Sequence, residues 1–241
     1  MAFIQLITDF QTGAYKIGIL KQNLLNSIES VEIIDISHDI RLNNITEAAF
    51  VAKQLNKTVK TLTINYIKVG FANRLIIYQQ DLQWYVVPDN GLIALIFEIN
   101  DLSNLYSLNS NDELEAFKAI INGEKISASG TIILRNSKKP EIQENRIICE
   151  RIFTDKLGNC YFNLLKSEFD SVFKPNQFGA RIQYINITAI GKISSKITDE
   201  EQGKASLSFS KSGFLKLAIN NGNAAQLFRI KEDSKIIIDK I

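Results

Sequence analysis

The chain has 241 residues, 45% of them hydrophobic and 22% charged, which excludes a largely disordered protein and supplies core material for one large or two modest domains. Its 28 basic and 26 acidic residues are mixed along the sequence and sum to a charge of +2, so no basic stripe of the kind that binds nucleic acid is present. No apolar run reaches the roughly 18 residues a membrane span needs. The opening MAFIQLITDF has no basic segment ahead of an apolar one, and the cysteines are only Cys149 and Cys160. Together these features predict a cytoplasmic protein with reduced thiols, no membrane partner and no zinc site.

Residues 3–7 form a short apolar run that reads as a buried strand. Ile17, Leu20, Leu24 and Ile28 then recur at helical spacing, and 31–36 is a second strand run. Asn44 with Glu47 three residues on predicts a capping box ahead of a helix through Ala48, Ala49 and Leu55. Residues 61–67, 74–78 and 84–87 are β-rich, and Pro88-Asp89-Asn90-Gly91 is a turn signal. Residues 112–122 read as a helix with acids in the first turn and Gly123 just past the end. Strand, helix and strand in alternation predict an α/β domain with a mostly parallel sheet over 1–135.

The polar stretch 136–146, which carries a proline, reads as a linker. After it come short β runs at 147–154, 160–164, 181–187, 205–209, 214–219 and 235–238. Their spacing predicts a small all-β, barrel-like domain over 147–241.

Open α/β sheets bind ligands at the carboxyl ends of their strands. Thr8-Asp9-Phe10 follows the first strand, and an ionised Asp9 offers two acceptor oxygens to a diol. Alone, it reads more readily as a turn or helix N-cap residue. Asp35-Ile36-Ser37-His38-Asp39-Ile40 ends the second strand. His38 is the only histidine, so a hydrogen-bonding role is favoured over a metal-binding one. Asp155-Lys156-Leu157-Gly158-Asn159 has hairpin chemistry, and Ala218-Ile219-Asn220-Asn221-Gly222 reads as a tight turn whose small residues could admit a flat ring.

The order of these segments carries more than any one of them. ITDF, IIDISHDI, VG followed by an arginine, VVPDNGL, DKLGN and LAINNGNAA succeed one another over nearly the whole chain. In that order they resemble the S-adenosylmethionine (SAM) hydroxide adenosyltransferase family, kin to the SAM-dependent fluorinases and chlorinases. The resemblance implies an α/β amino-terminal domain, a β-barrel carboxyl-terminal domain and a homotrimer with sites shared between subunits. It also implies displacement at the ribose C5′ of SAM by water or hydroxide, giving adenosine and methionine. No further cofactor is implied.

Carried over residue by residue, the resemblance gives Asp9 the ribose hydroxyls and Phe10 the neighbouring aromatic position. It sets Asp155, Leu157 and Asn159 toward the methionine part, and Ala218, Asn220 and Asn221 against adenine. The family's Asp, Arg and His fall on Tyr66, on Arg74 and in the segment of Ser110. A phenol with a pKa near about 10 cannot prime water as a carboxylate does. The segment of Ser110 holds no histidine, and Ala14 and Lys16 stand where the family commonly has an acid and an aromatic. The resulting expectation is a SAM- or adenosine-binding protein with weak or no hydrolysis. The alternatives are an active enzyme using Tyr66, Lys68 and Arg74, a halide-dependent transferase using Ser110, and a structural trimer with a decayed pocket.

Overall fold

The computed structural model describes residues 1–56, 58–97, 103–108, 110, 112–174, 178–182, 190 and 192–240. The chain divides into two compact units, Met1–Ser137 and Lys138–Ile241.

The first unit holds β1 (Ala2–Thr8), α1 (Tyr15–Ser27), β2 (Val31–Ser37), α2 (Ile45–Ala52), β3 (Thr63–Lys68), β4 (Leu75–Gln80), β5 (Gln83–Pro88), α3 (Leu92–Ile96), β6 (Leu105–Leu108) and α4 (Glu113–Asn122). Its six strands form one sheet in the order β2-β1-β3-β5-β4-β6. The pairings of β1 with β2, β1 with β3 and β3 with β5 are parallel, whereas β4 runs antiparallel to both β5 and β6. The sheet is therefore mixed, and only its β2-β1-β3-β5 half matches the parallel arrangement predicted. The cause is local. A tight turn at Asp81, in the left-handed region at φ 53°, folds β4 back on β5 as a hairpin, with Gln80 opposite Gln83.

The centre of the sheet is buried on both faces, as the nearly continuous apolar strands require. On one face Ile4, Leu6, Ile64 and Tyr66 pack against Leu20, Leu24 and Ile28 of the α1 segment and Ala116, Phe117 and Ile120 of α4. Separately, α2 packs on β1 and on α3. Both ends of α4 are capped as predicted. Asp112 accepts hydrogen bonds from Leu114 and Glu115 N–H, and Gly123 ends α4 in the left-handed conformation. Asn44 accepts from Glu47 N–H, but the Glu47 carboxylate turns to Arg41, so only half of the capping box forms.

The second unit holds β7 (Glu141–Gln143), β8 (Arg146–Thr154), β9 (Cys160–Leu165), α5 (Lys166–Val172), β10 (Phe178–Ile182), β11 (Ala205–Phe209), β12 (Phe214–Ile219), α6 (Ala224–Leu227) and β13 (Lys235–Lys240). Its strands form a curled antiparallel sheet, β10-β13-β8-β9-β12-β11, with β7 on β8. Phe162, Phe169, Phe173 and Phe178 dominate its core. Each ring buried from water stabilises by about 1.5–3 kcal/mol, and Phe169 and Phe178 meet edge to face at 5.0 Å.

Part of the stretch read as a linker is structured, since Ile142 pairs with Ile147 in a β7–β8 hairpin. Of the predicted run 181–187, residues 181 and 182 close β10, and 183–187 lie outside the described residues.

Candidate functional site

Parallel β2, β1, β3 and β5 all end at one edge of the sheet, at Ser37, Thr8, Lys68 and Pro88. Antiparallel β4 starts at that edge, with Leu75 opposite both Pro88 and Leu108. The topology thus gathers Asp9, Phe10, Tyr66, Arg74 and Ser110 along one rim of the first unit.

Asp9 is buried, and its Oδ2 accepts the backbone N–H of Asn43 at 2.9 Å and of Gly70 at 3.1 Å. Both donors sit in left-handed turns, at φ 59° and 71°. At Gly70 a Cβ would lie 2.9 Å from Asn90 Nδ2, which itself donates to Val69 O, so close packing and backbone conformation both call for glycine. Among the described residues Oδ1 of Asp9 takes no hydrogen bond.

The DISHDI segment braces this carboxylate. Thr8 Oγ1 lies 2.9 Å from His38 Nδ1, and His38 Nε2 lies 3.0 Å from Asp35 Oδ1. Asp39 accepts from Thr12 N–H at 3.0 Å, and His38 O from Gln11 N–H at 2.7 Å. Burial works to raise the Asp35 pKa, but Lys21 and His38 outweigh it and hold the carboxyl below its ordinary value. Through Nδ1 on Thr8 and its carbonyl on Gln11, His38 holds the loop around Asp9.

The three candidates for chemistry are each turned to a protein partner. Tyr66 is 1% exposed and stacks edge to face on Phe117 at 5.1 Å. Burial, followed by the charge of Glu113 beside it, pushes its phenol well above the usual range. Glu113 accepts from Lys68 Nζ at 2.9 Å. Arg74 donates to Asp89 Oδ2 at 2.7 Å and to Thr131 O at 2.8 Å, while Asp89 Oδ1 accepts from Ile133 N–H at 3.0 Å. That arginine ties the segment after α4 to the end of β5. Ser110 donates to Glu115 Oε2 at 2.9 Å, within the first turn of α4.

Glu113 is the residue that sequence reasoning missed, because an acid in a first helical turn has a sufficient explanation in the helix dipole. Its signal was its position beside the segment where the family's histidine would fall.

In the second unit Asp155 Oδ1 accepts the N–H groups of Leu157 and Asn159, and Oδ2 accepts Asn159 Nδ2 at 2.8 Å and the Tyr161 hydroxyl at 3.3 Å. Burial and then the Asp155 charge push the Tyr161 phenol up to about 12. This turn meets the one after β12. Ala225 N–H donates to Gly158 O at 2.9 Å, and Asn223 lies against Gly158. Asn220 Nδ2 donates to Glu200 O at 2.7 Å, Ala218 is fully buried, and Asn221 adopts φ 54°. Asp155, Asn159, Ala218, Asn220 and Asn221 therefore share one end of the sheet, with Leu157 74% exposed on the turn. Among the described residues, no three His, Cys, Asp or Glu side chains are grouped to hold a metal ion. No helix among them is long and apolar enough to cross a membrane.

Residues 4–143 match the SAM hydroxide adenosyltransferase N-terminal domain, and residues 149–237 match its C-terminal domain. The chain belongs to the SAM hydroxide adenosyltransferase family. A curated relative, the (R)-S-adenosyl-L-methionine hydrolase of Methanocaldococcus jannaschii, is 26% identical over 181 residues, covering 68% of each chain. Two solved structures share the fold of this family member. An uncharacterised conserved protein from Thermotoga maritima matches with a TM-score of 0.82 at 19% identity over 100% of both chains. A conserved hypothetical protein from Thermus thermophilus matches with a TM-score of 0.72 at 17% identity, covering 99% of this chain and 100% of its own. Within the family's amino-terminal half, Glu113 stands beside the Tyr66 phenol and accepts from Lys68, a grouping that the sequence resemblance alone does not supply.

Proposed function

We propose that this protein binds adenosine or SAM at the rim around Asp9 and hydrolyses SAM weakly or not at all. The observation that carries this reading is the state of Tyr66. Its ring is sealed in the core against Phe117, and burial together with the Glu113 charge holds the phenol well above its ordinary pKa. It stays protonated at neutral pH and offers no carboxylate to prime water. Arg74 is held by Asp89 and Thr131, and His38 Nδ1 by Thr8. Loss of a positioned acid–base group slows catalysis by about 10²–10⁴-fold. The open Oδ1 of Asp9 supports retained binding of a ribose diol.

A homotrimer with shared sites is part of the proposal. Phe71 and Leu42, 76% and 75% exposed, flank the two N–H donors of Asp9, and Leu157 projects from the Asp155 turn. Exposed apolar groups beside polar ligand positions fit a site closed by a second copy. Light scattering on a sizing column measures that mass directly.

A working hydrolase with a rearranged site is the second reading, favoured by the Glu113–Lys68 pair beside Tyr66. Chromatography after incubation with SAM separates the two. The first reading expects SAM or adenosine to bind calorimetrically, with adenosine and methionine released at or near the uncatalysed rate. Turnover matching an active homologue would replace it with the second. The 5′-halo-adenosine products of parallel chloride and fluoride incubations test halide use, for which Ser110, committed to Glu115, offers no free hydroxyl.

A further inference from the structure

We propose that the turn at 88–91 couples the Asp9 rim to the segment 131–135, with Asn90 as the positioning residue that joins the two; this deepens the nucleoside reading above and rests on it for the ligand alone. Adjacent residues of the turn face opposite ways. Asp89 is buried and turned to the segment, where its Oδ1 accepts the Ile133 N–H at 3.0 Å. Its Oδ2 accepts Arg74 Nε at 2.7 Å, and Arg74 donates in turn to Thr131 O at 2.8 Å. Asn90 is turned to the rim. Its Nδ2 donates to Val69 O at 2.9 Å, and the next residue, Gly70, gives its N–H to Asp9 Oδ2 at 3.1 Å.

Both ends of the Asn90 amide are fixed. Its Oδ1 accepts the Leu92 N–H at 3.2 Å, which turns Nδ2 toward Val69. The backbone of the same residue reaches the segment, since Asn90 O accepts Arg135 Nε at 3.1 Å. The Arg135 stem lies against Gly91, where a Cβ would come 2.4 Å from Arg135 Cγ. Thr131, Ile133 and Arg135 are thus each fastened at or beside this turn. The segment belongs to no helix or strand, so these bonds, rather than a ladder of its own, hold it. It runs on to Ser137, where the first compact unit ends. Contacts through Gly70, Val69, Asn90 and Arg135 therefore link the Asp9 carboxylate to the chain leading into the second unit. By reciprocity, a ligand at Asp9 steadies the segment, and whatever loosens the segment weakens binding at Asp9.

Hydrogen exchange on the full chain, followed at the Gly70 and Ile133 amides, tests the coupling. Asn90→Asp keeps the size of the side chain and an acceptor for Leu92 but loses the donor to Val69. It is expected to speed exchange at both amides and to weaken adenosine binding about fivefold, the equivalent of one neutral hydrogen bond. Arg135→Met approaches from the other end. It alters an exposed side chain, leaves the fold intact, and is expected to speed exchange at Gly70. In the wild-type chain, adenosine should slow exchange at Ile133. A merely local role for Asn90 would move Gly70 alone. An Ile133 amide unchanged in Asn90→Asp, or a Gly70 amide unchanged in Arg135→Met, therefore overturns the inference. Adenosine that binds without slowing Ile133 overturns it as well. If the wild-type chain binds no adenosine, the nucleoside reading falls, and the two amides in the two variants still decide the coupling.

Discussion

Restoring an acid at the centre of the first unit should unfold the protein before it restores chemistry. Tyr66→Asp removes a ring that is 1% exposed and packed on Phe117 at 5.1 Å. Deleting a buried aromatic side chain costs about 3–5 kcal/mol. A domain's whole stability is about 5–15 kcal/mol, so this is a large share of it. The new carboxyl would also face Glu113, which already holds Lys68. Burial and like charge both raise its folded pKa above the unfolded value of about 3.9. The folded state then binds more protons than the unfolded one, so the variant's stability falls as pH rises through that interval. Tyr66→Phe keeps the ring and removes only the hydroxyl, which should cost about 1–2 kcal/mol. Urea denaturation followed by the single tryptophan, Trp84 on β5, measures both variants. The reasoning fails if Tyr66→Asp unfolds within about 1 kcal/mol of wild type, or if it releases adenosine from SAM faster than wild type.

Two further predictions concern stability. Asp35, Glu150 and Asp239 all have lowered folded pKa values. For Asp35 and Asp239 burial opposes the shift, and basic partners outweigh it; for Glu150 the bond to Lys138 leads. A depressed carboxyl contributes stability above its unfolded pKa and loses it as pH falls through the folded value. Urea midpoints should therefore drop progressively below about pH 4, and a flat profile there would count against these ion pairs. Gly123 and Gly158 both have positive φ, but a Cβ at Gly123 meets nothing within 4 Å, whereas one at Gly158 would lie 2.0 Å from Asn223 Oδ1. Alanine at Gly123 should cost about 1–2 kcal/mol for the left-handed backbone alone, and alanine at Gly158 more. Equal melting temperatures for the two variants would contradict the packing described.

Long periodic elements were legible in the sequence because burial and periodicity agree there. The apolar spacing of α1, the Asp112 and Gly123 ends of α4, and strands β11 and β12 fall where the pattern places them. Short elements were not. Leu92–Ile96 and Leu105–Leu108 are too brief to show a period, and α5 takes its start from Glu168 accepting the Leu165 N–H rather than from an apolar stripe. The antiparallel half of the sheet was hidden because Asp81-Leu82 lacks the Asn-Gly or Asp-Gly signature of a hairpin. At the site, Asp9 and DISHDI could be placed from order alone. That Tyr66 sits beside Glu113 could not, because the approach of β3 to α4 brings together residues distant in the chain.

Strand β8 has a consequence for how the second unit is made. One edge pairs with β7 and β9, its immediate neighbours, while the other waits for β13, which sets Ile238 beside Ile147. During synthesis that second edge stands open until the late strand emerges from the ribosome. Over this interval β8 presents unpaired amides to any passing extended chain. Nascent-chain aggregation should accordingly peak at translation intermediates that stop short of β13.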